Sequence, residues 1–232
     1  MFTKINIGHG ESTSNGSGRL CGGGTDTQLN NVGKTQADYV AEELLNENVH
    51  LDALGSSNLI RAIETRDIIG LKLSHATHHN NNNKPTTTFS DTNFKEMMYG
   101  YLEHKKIGGD VMKEMGKIST AWKSGNTNVK VGDGESPENV VERLVPAIKN
   151  VCEKYEQFLV VCHSHAIKSF LSFVSGIGLQ NIHSLPQKNC GINIIDYDQS
   201  NDIFMVHGVD LHVDKLANDK KIDLIKQQKA RL

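Results

Sequence analysis

Phe158-Leu159-Val160-Val161-Cys162-His163-Ser164-His165 contains an apolar run that stops abruptly at histidine. An apolar run with no alternation marks a strand buried on both faces, the central strand of a sheet covered by helices on either side. A helix is expected to follow it over residues 166–174. On its upstream side Ser136-Pro137-Glu138 reads as a helix start, with serine capping and proline in the first turn. That helix carries Val140, Val141, Leu144, Val145, Ile148 and Val151 at helical spacing. Further strands are expected at 3–7, 51–56 and 86–89. Strands at 192–197 and 203–206 would pair through the polar turn between them. Apolar spacing predicts helices over 28–46 and 59–69. Strands alternating with helices make an α/β protein, a three-layer α/β/α sandwich with a mixed, mainly parallel sheet. Ligands are expected at the carboxyl ends of its strands.

The chain has 232 residues, of which 37% are hydrophobic and 22% charged, so burial can offset the entropy of ordering. The 25 Lys and Arg nearly balance 27 Asp and Glu for a formal charge of -2, which argues against a nucleic-acid partner held by a basic surface. No apolar run approaches the roughly 18 residues of a membrane span, so no membrane partner is expected. The start lacks the form of a signal peptide, and a cytoplasmic location is expected. Cys21, Cys152, Cys162 and Cys190 form no C-x-x-C pair, and Cys162 reads as a small core residue. Residues 1–214 are expected to form a single domain and 215–232 a charged tail or helix. His75, His78 and His79 lie in or beside an asparagine tract and read as solvated loop. Residues 105–130 are irregular, with no motif.

Two predicted strand ends carry histidines, Gly8-His9-Gly10-Glu11 and His163-Ser164-His165. A neutral imidazole such as His9 can act as a nucleophile, and Gly10 beside it leaves the backbone open to a ligand. Arg61, behind Ser56-Ser57, suits a phosphate. A carboxylic acid is needed to protonate a leaving oxygen; Glu96 follows a predicted strand, with Glu103 and Glu135 as nearby competitors.

The motifs occur in an order that resembles the histidine phosphatase superfamily, with its phosphoglycerate mutase-like fold. Gly8-His9-Gly10-Glu11-Ser12, with Asn15 and Arg19, is similar to its Arg-His-Gly-Glu signature. Gln28-Leu29 with Gly33 and Gln36-Ala37 resembles its next motif, and Ser56-Ser57-Asn58-Leu59-Ile60-Arg61 with Glu64-Thr65 its second arginine motif. Glu96 with Gly100 and Glu103 resembles its acid motif; Gly134-Glu135-Ser136, Val160-Val161-Cys162-His163 and Asn189-Cys190-Gly191 complete the series. The resemblance implies that His9 becomes a phosphohistidine, Glu96 acts as acid and then as base, and Arg61 and His163 bind phosphoryl oxygens. Asn15 and the backbone near Ser164 would line the same pocket, with no metal and no cofactor.

The function implied is hydrolysis of a small phosphorylated substrate, a phosphomonoester. A phosphoglycerate mutase is the second enzyme reading. Family mutases carry a long insertion after the acid motif, and only about 30 residues separate Glu103 from Gly134. The family's arginine before the nucleophile is replaced here by Gly8, so a weakened or inactive phosphatase-like protein that binds phosphorylated ligands is the reading from another class. Arg19 or His165 would be the compensating cation. Otherwise Gly8→Arg is expected to raise kcat/KM by about ten- to a hundredfold, the value of one charge-assisted contact.

Overall fold

The computed structural model describes residues 4–77 and 87–211. His78, His79 and the charged tail fall outside the described residues. The strands are β1 (Lys4–Gly8), β2 (Ala53–Ser56), β3 (Thr87–Ser90), β4 (Phe158–Cys162), β5 (Ile192–Asp198) and β6 (Ile203–Leu211). The α-helices are α1 (Thr13–Gly16), α2 (Asn31–Asn46), α3 (Ile60–Thr77), α4 (Gly109–Lys123), α5 (Pro137–Lys154) and α6 (Ser164–Val174).

The strands form one mixed six-stranded sheet in the order β3-β2-β4-β1-β5-β6. From β3 to β1 every pairing is parallel, while β5 and β6 run antiparallel at one side. Every residue of β4 is buried, as its apolar run requires. Alternation along the strands sends Leu159 and Val161 to one face, where Val40, Leu44, Ala62 and Ile69 of α2 and α3 cover them. Phe158, Val160 and Cys162 pack on the other face against Leu144, Ile148, Ile167 and Phe170 of α5 and α6. Cys162 is wholly buried, and burial pushes its thiol up to about 12, so it serves as a core hydrophobe.

The register fixes what lies at the carboxyl ends. Gly8 pairs with Cys162, and the His9 N–H donates to the Cys162 carbonyl at 3.1 Å. The next residues along these neighbouring strands, His9 and His163, therefore emerge side by side. Ser57, just beyond β2, donates its N–H to the Val161 carbonyl at 3.0 Å and enters the same row. The α6 N-terminus begins directly behind His163.

Two elements differ from expectation. Helix α3 continues past residue 69 because its last turns have something to pack on. Leu73 is buried there, and Lys72 reaches Asp38 and Glu42 of α2 at 2.7 Å each. His75 is thus an exposed helical residue rather than loop. The motif-free stretch 105–130 contains α4, which buries Val111, Ile118 and Trp122. The Trp122 indole donates to the Val129 carbonyl at 2.7 Å and stacks on His183. Helix α5 starts as its sequence predicts, with Ser136 and Asn139 forming a capping box around Pro137.

Candidate active site

His9 leaves β1 with 8% of its surface exposed. Its Nδ1 lies 2.6 Å from the Gly10 carbonyl, which only accepts, so Nδ1 carries the proton and Nε2 has the lone pair. Burial, and then the Arg61 charge, push this imidazole down to about 3, against the weaker upward pull of the Gly10 carbonyl. His9 is therefore neutral at physiological pH, with a nitrogen able to attack an electrophile.

Arg61, from the first turn of α3, is fully buried. Its Nε donates to His9 Nε2 at 3.2 Å, and its two terminal nitrogens donate to the Thr25 and Gly22 carbonyls at 2.6 and 3.2 Å. No carboxylate forms an ion pair with it among the described residues. Thr65 donates its hydroxyl to the Arg61 carbonyl and accepts from the Gly10 N–H, tying the loop to the helix. Gly10 has a role different from the open ligand approach expected of it. A Cβ there would collide with the backbone of Gly33, so glycine lets the start of α2 close onto the histidine loop.

The His163 ring lies 5.0 Å from the His9 ring, centroid to centroid. Its Nε2 is 2.7 Å from the Ser57 hydroxyl, and its Nδ1 is buried without a partner among the described residues. Burial, with Arg61 next, holds its pKa well below the usual imidazole range. With Ser57 donating, the neutral ring offers Nδ1–H as a donor that lacks an acceptor.

Glu96 is buried at the N-terminus of α6. Its carboxylate accepts from the N–H groups of Met97, His165 and Ala166 at 2.8, 3.1 and 2.9 Å. Burial raises its pKa against these hydrogen bonds and the pull of Arg61. The competing carboxylates are engaged elsewhere. Glu103 accepts from Gly24 and Tyr99 N–H groups and from the Thr25 hydroxyl. Glu135 is paired with Arg143 at 2.7 Å and accepts from the Met98 N–H. Arg143 also donates to the carbonyls of Asn93, Lys95 and Glu96, fixing the segment that presents Glu96. Sequence reasoning marked Ser57 and Thr65 as companions of Arg61 but missed Arg143 as a support.

Ser164 is half-buried at the first turn of α6, beside the row. Asn15 is exposed, and its carboxamide oxygen accepts from the Ser12 N–H and hydroxyl at 3.1 and 2.8 Å. The structure therefore gives it a capping role on α1. Neither proposed substitute for an arginine at position 8 is placed as one. Arg19 is exposed and donates to the His104 carbonyl at 2.8 Å. His165 receives or donates the Tyr99 hydroxyl hydrogen bond at 2.7 Å, and burial pushes it down to about 4, so it is neutral.

A side chain at position 8 would be crowded from its first atom. A Cβ there would stand 3.0 Å from the Lys188 carbonyl oxygen and 3.1 Å from Gln187 Nε2. That carboxamide donates to the Lys188 and Gly191 carbonyls and accepts from Asn193, so it closes the turn before β5. The large gain expected of Gly8→Arg is therefore corrected. The single substitution should raise kcat/KM by less than about tenfold while lowering the melting temperature, because the new side chain must press on this turn. Steady-state rates beside a thermal melt check both parts; a gain near a hundredfold at unchanged stability would refute it.

The chain matches the family model for the histidine phosphatase superfamily (branch 1) over residues 7–209. Phosphoglycerate mutase-like protein 4 of Arabidopsis thaliana is 31% identical over 170 residues, which cover 70% of this chain and 66% of that relative. The chain thus spans just under two thirds of that relative's length. A mycobacterial glucosyl-3-phosphoglycerate phosphatase with VO3 has a TM-score of 0.71 at 20% identity, covering 91% of this chain and 100% of that one. A mutant phosphoserine phosphatase from Entamoeba histolytica, in complex with phosphoserine, has a TM-score of 0.69 at 19% identity, covering 97% and 100%. At such identities these two likenesses concern the fold.

Proposed function

Because the chain belongs to the histidine phosphatase superfamily, we propose that it hydrolyses a phosphomonoester through a phosphohistidine on His9. The observation that carries this reading is Arg61, a fully buried guanidinium without a carboxylate partner among the described residues. A buried charge is costly unless something of opposite sign meets it. A dianionic phosphoryl group would do so, and one of its oxygens would accept from the orphaned His163 Nδ1–H. Water supplies the second half of the reaction. His9 Nε2 attacks phosphorus, the N–P bond forms, and the bond to the leaving oxygen breaks as Glu96 gives that oxygen its proton. The Glu96 carboxylate then takes a proton from water as its oxygen attacks phosphorus, releasing phosphate and free His9. The mutase reading has less support, since the chain between Glu103 and Gly134 folds as the single helix α4 with its flanking turns.

Comparing ethyl phosphate with 4-nitrophenyl phosphate tests the reading. The wild type should hydrolyse both. Glu96→Gln should slow the ethyl ester by about a hundred- to ten-thousandfold, the span of general acid catalysis. It should slow the nitrophenyl ester far less, because that oxygen leaves without a proton. The pH profile has a definite sign. An acid must hold its proton, and burial raises the Glu96 pKa, so the rate should fall as pH rises through that raised value, after correction for ionisation of the substrate. Glu96→Gln should remove this limb. His9 adds no acid limb above about 3. Equal losses on the two esters would refute the role of Glu96, and absence of turnover on either would favour a protein that binds phosphorylated ligands.

A further inference from the structure

Helix α6 has no cap from its own N-terminal side chain, since His163 at the N-cap makes no capping hydrogen bond. The N–H groups of its first turn have no intrahelical acceptor and need one from elsewhere. Glu96 supplies it, with the His165 N–H on Oε2 at 3.1 Å and the Ala166 N–H on Oε1 at 2.9 Å. Oε1 also accepts from the Met97 N–H at 2.8 Å. In the acid form the proton therefore belongs on Oε2, the oxygen with one donor instead of two.

The His165 ring is tied down in turn by Tyr99, three residues after Glu96. The Tyr99 hydroxyl lies 2.7 Å from His165 Nδ1, and the two rings meet edge to face at 5.7 Å and 88°. Tyr99 is 2% exposed, and among the described residues its hydroxyl has no second partner. Burial holds Tyr99 as a phenol and keeps His165 neutral down to about 4. The hydroxyl therefore donates to Nδ1, since accepting would strand its own hydrogen in the core. Tyr99 is itself a fixed peg: its N–H donates to Glu103 at 3.0 Å and its carbonyl accepts from the Leu102 N–H at 3.1 Å. Neither ring takes part in the reaction proposed above.

We propose that Tyr99 and His165 form a positioning pair for the acid: the Tyr99 hydroxyl fixes the His165 ring, and the His165 N–H fixes Oε2 of Glu96. The proposal rests on the hydrolase reading for the role of Glu96 as proton donor. Helix ends fray, and the Tyr99 bond anchors the one first-turn residue whose N–H meets Oε2. Within electrostatic reach of Glu96 are Arg61 from α3, Lys168 from α6, Cys162 from β4, and Cys21 and Tyr99 from the loops. Tyr99→Phe alters the charge of none of them, so a change at Glu96 reports the hydrogen-bonded hold.

Tyr99→Phe removes the hydroxyl and keeps the ring. It should slow ethyl phosphate by about three- to tenfold more than 4-nitrophenyl phosphate, the worth of one hydrogen bond in holding the acid. Weakening the N–H bond to the carboxylate removes a contact that lowers its pKa, so the Glu96 titration should move to higher pH. The limb of the ethyl phosphate profile that falls as pH rises through that value should move with it. NMR of isotope-labelled glutamate carboxyls, with Glu96→Gln assigning the signal, reads the titration without turnover. His165→Ala should act as Tyr99→Phe does, and it serves in its place if that variant does not fold. His165→Asn offers Oδ1 near the place of Nδ1 and should recover most of the loss seen in His165→Ala. Equal slowing of the two esters, or a Glu96 titration unmoved in Tyr99→Phe, overturns the pair; turnover by the wild type then leaves the hydrolase reading standing. A titration that moves in a protein that turns over neither ester overturns the hydrolase reading and leaves the hold of Tyr99 on Glu96.

Discussion

His9→Ala is expected to lower kcat by at least about ten-thousandfold, because removing a covalent nucleophile eliminates the path rather than weakening one contact. The same substitution should abolish incorporation of label from a phosphorylated substrate. In the wild type, the label should survive alkaline quenching and be lost in acid, as a phosphoramidate behaves and a phosphoserine does not. An acid quench would miss it. The local structure explains why His9 suits this role: the Gly10 carbonyl holds the proton on Nδ1, and burial keeps the ring neutral down to about 3. Label that persists in His9→Ala, or that resists acid, would remove His9 from the reaction.

Arg61→Met is the second large effect expected. Its guanidinium donates to the Gly22 and Thr25 carbonyls and to His9 Nε2, all within a buried site. Two buried carbonyls would lose their donors at about 1–3 kcal/mol each, offset in part by relief of a buried charge. A net loss of about 2–4 kcal/mol should lower the melting temperature by about 5–10 °C in a chain of this size. Loss of the cation proposed to meet the phosphoryl group should lower kcat/KM by about a hundred- to a thousandfold. Arg61→Lys keeps the charge but not the planar fork, so it should recover stability less than activity. Activity within tenfold of wild type in Arg61→Met would show that the anion is held elsewhere.

Some elements were readable because one local signal decides them. The apolar run of β4 and the serine–proline start of α5 need no knowledge of a partner. Helix α4 was missed although Val111, Ile118 and Trp122 lie at helical spacing, because Lys113, Gly116 and Lys117 between them thin the pattern and Gly108–Gly109 gives no capping signal. The end of α3 was placed early because Lys72 is explained only by Asp38 and Glu42, 34 and 30 residues earlier. Asn15 was assigned to the pocket by the family resemblance, and Arg19 was offered as a substitute cation by its nearness in sequence. In the fold, Asn15 caps α1 and Arg19 faces the exposed His104 carbonyl.

By itself the sequence determined the alternation of strands and helices, and with it the layered sheet whose strand ends carry His9 and His163. These follow from hydrophobic periodicity and turn residues, which act over a few positions. Only the tertiary structure showed that Glu135 is paired with Arg143, that Glu103 is bound by the Gly24 and Tyr99 N–H groups while Glu96 lies buried against the start of α6, and that a Cβ on Gly8 would crowd Gln187 and Lys188. Protonation, pairing and free volume depend on what arrives from distant parts of the chain. Burial of His9 under Arg61, and of Glu96 against α6, arises only when β1, α3 and α6 meet at the carboxyl ends of the central strands.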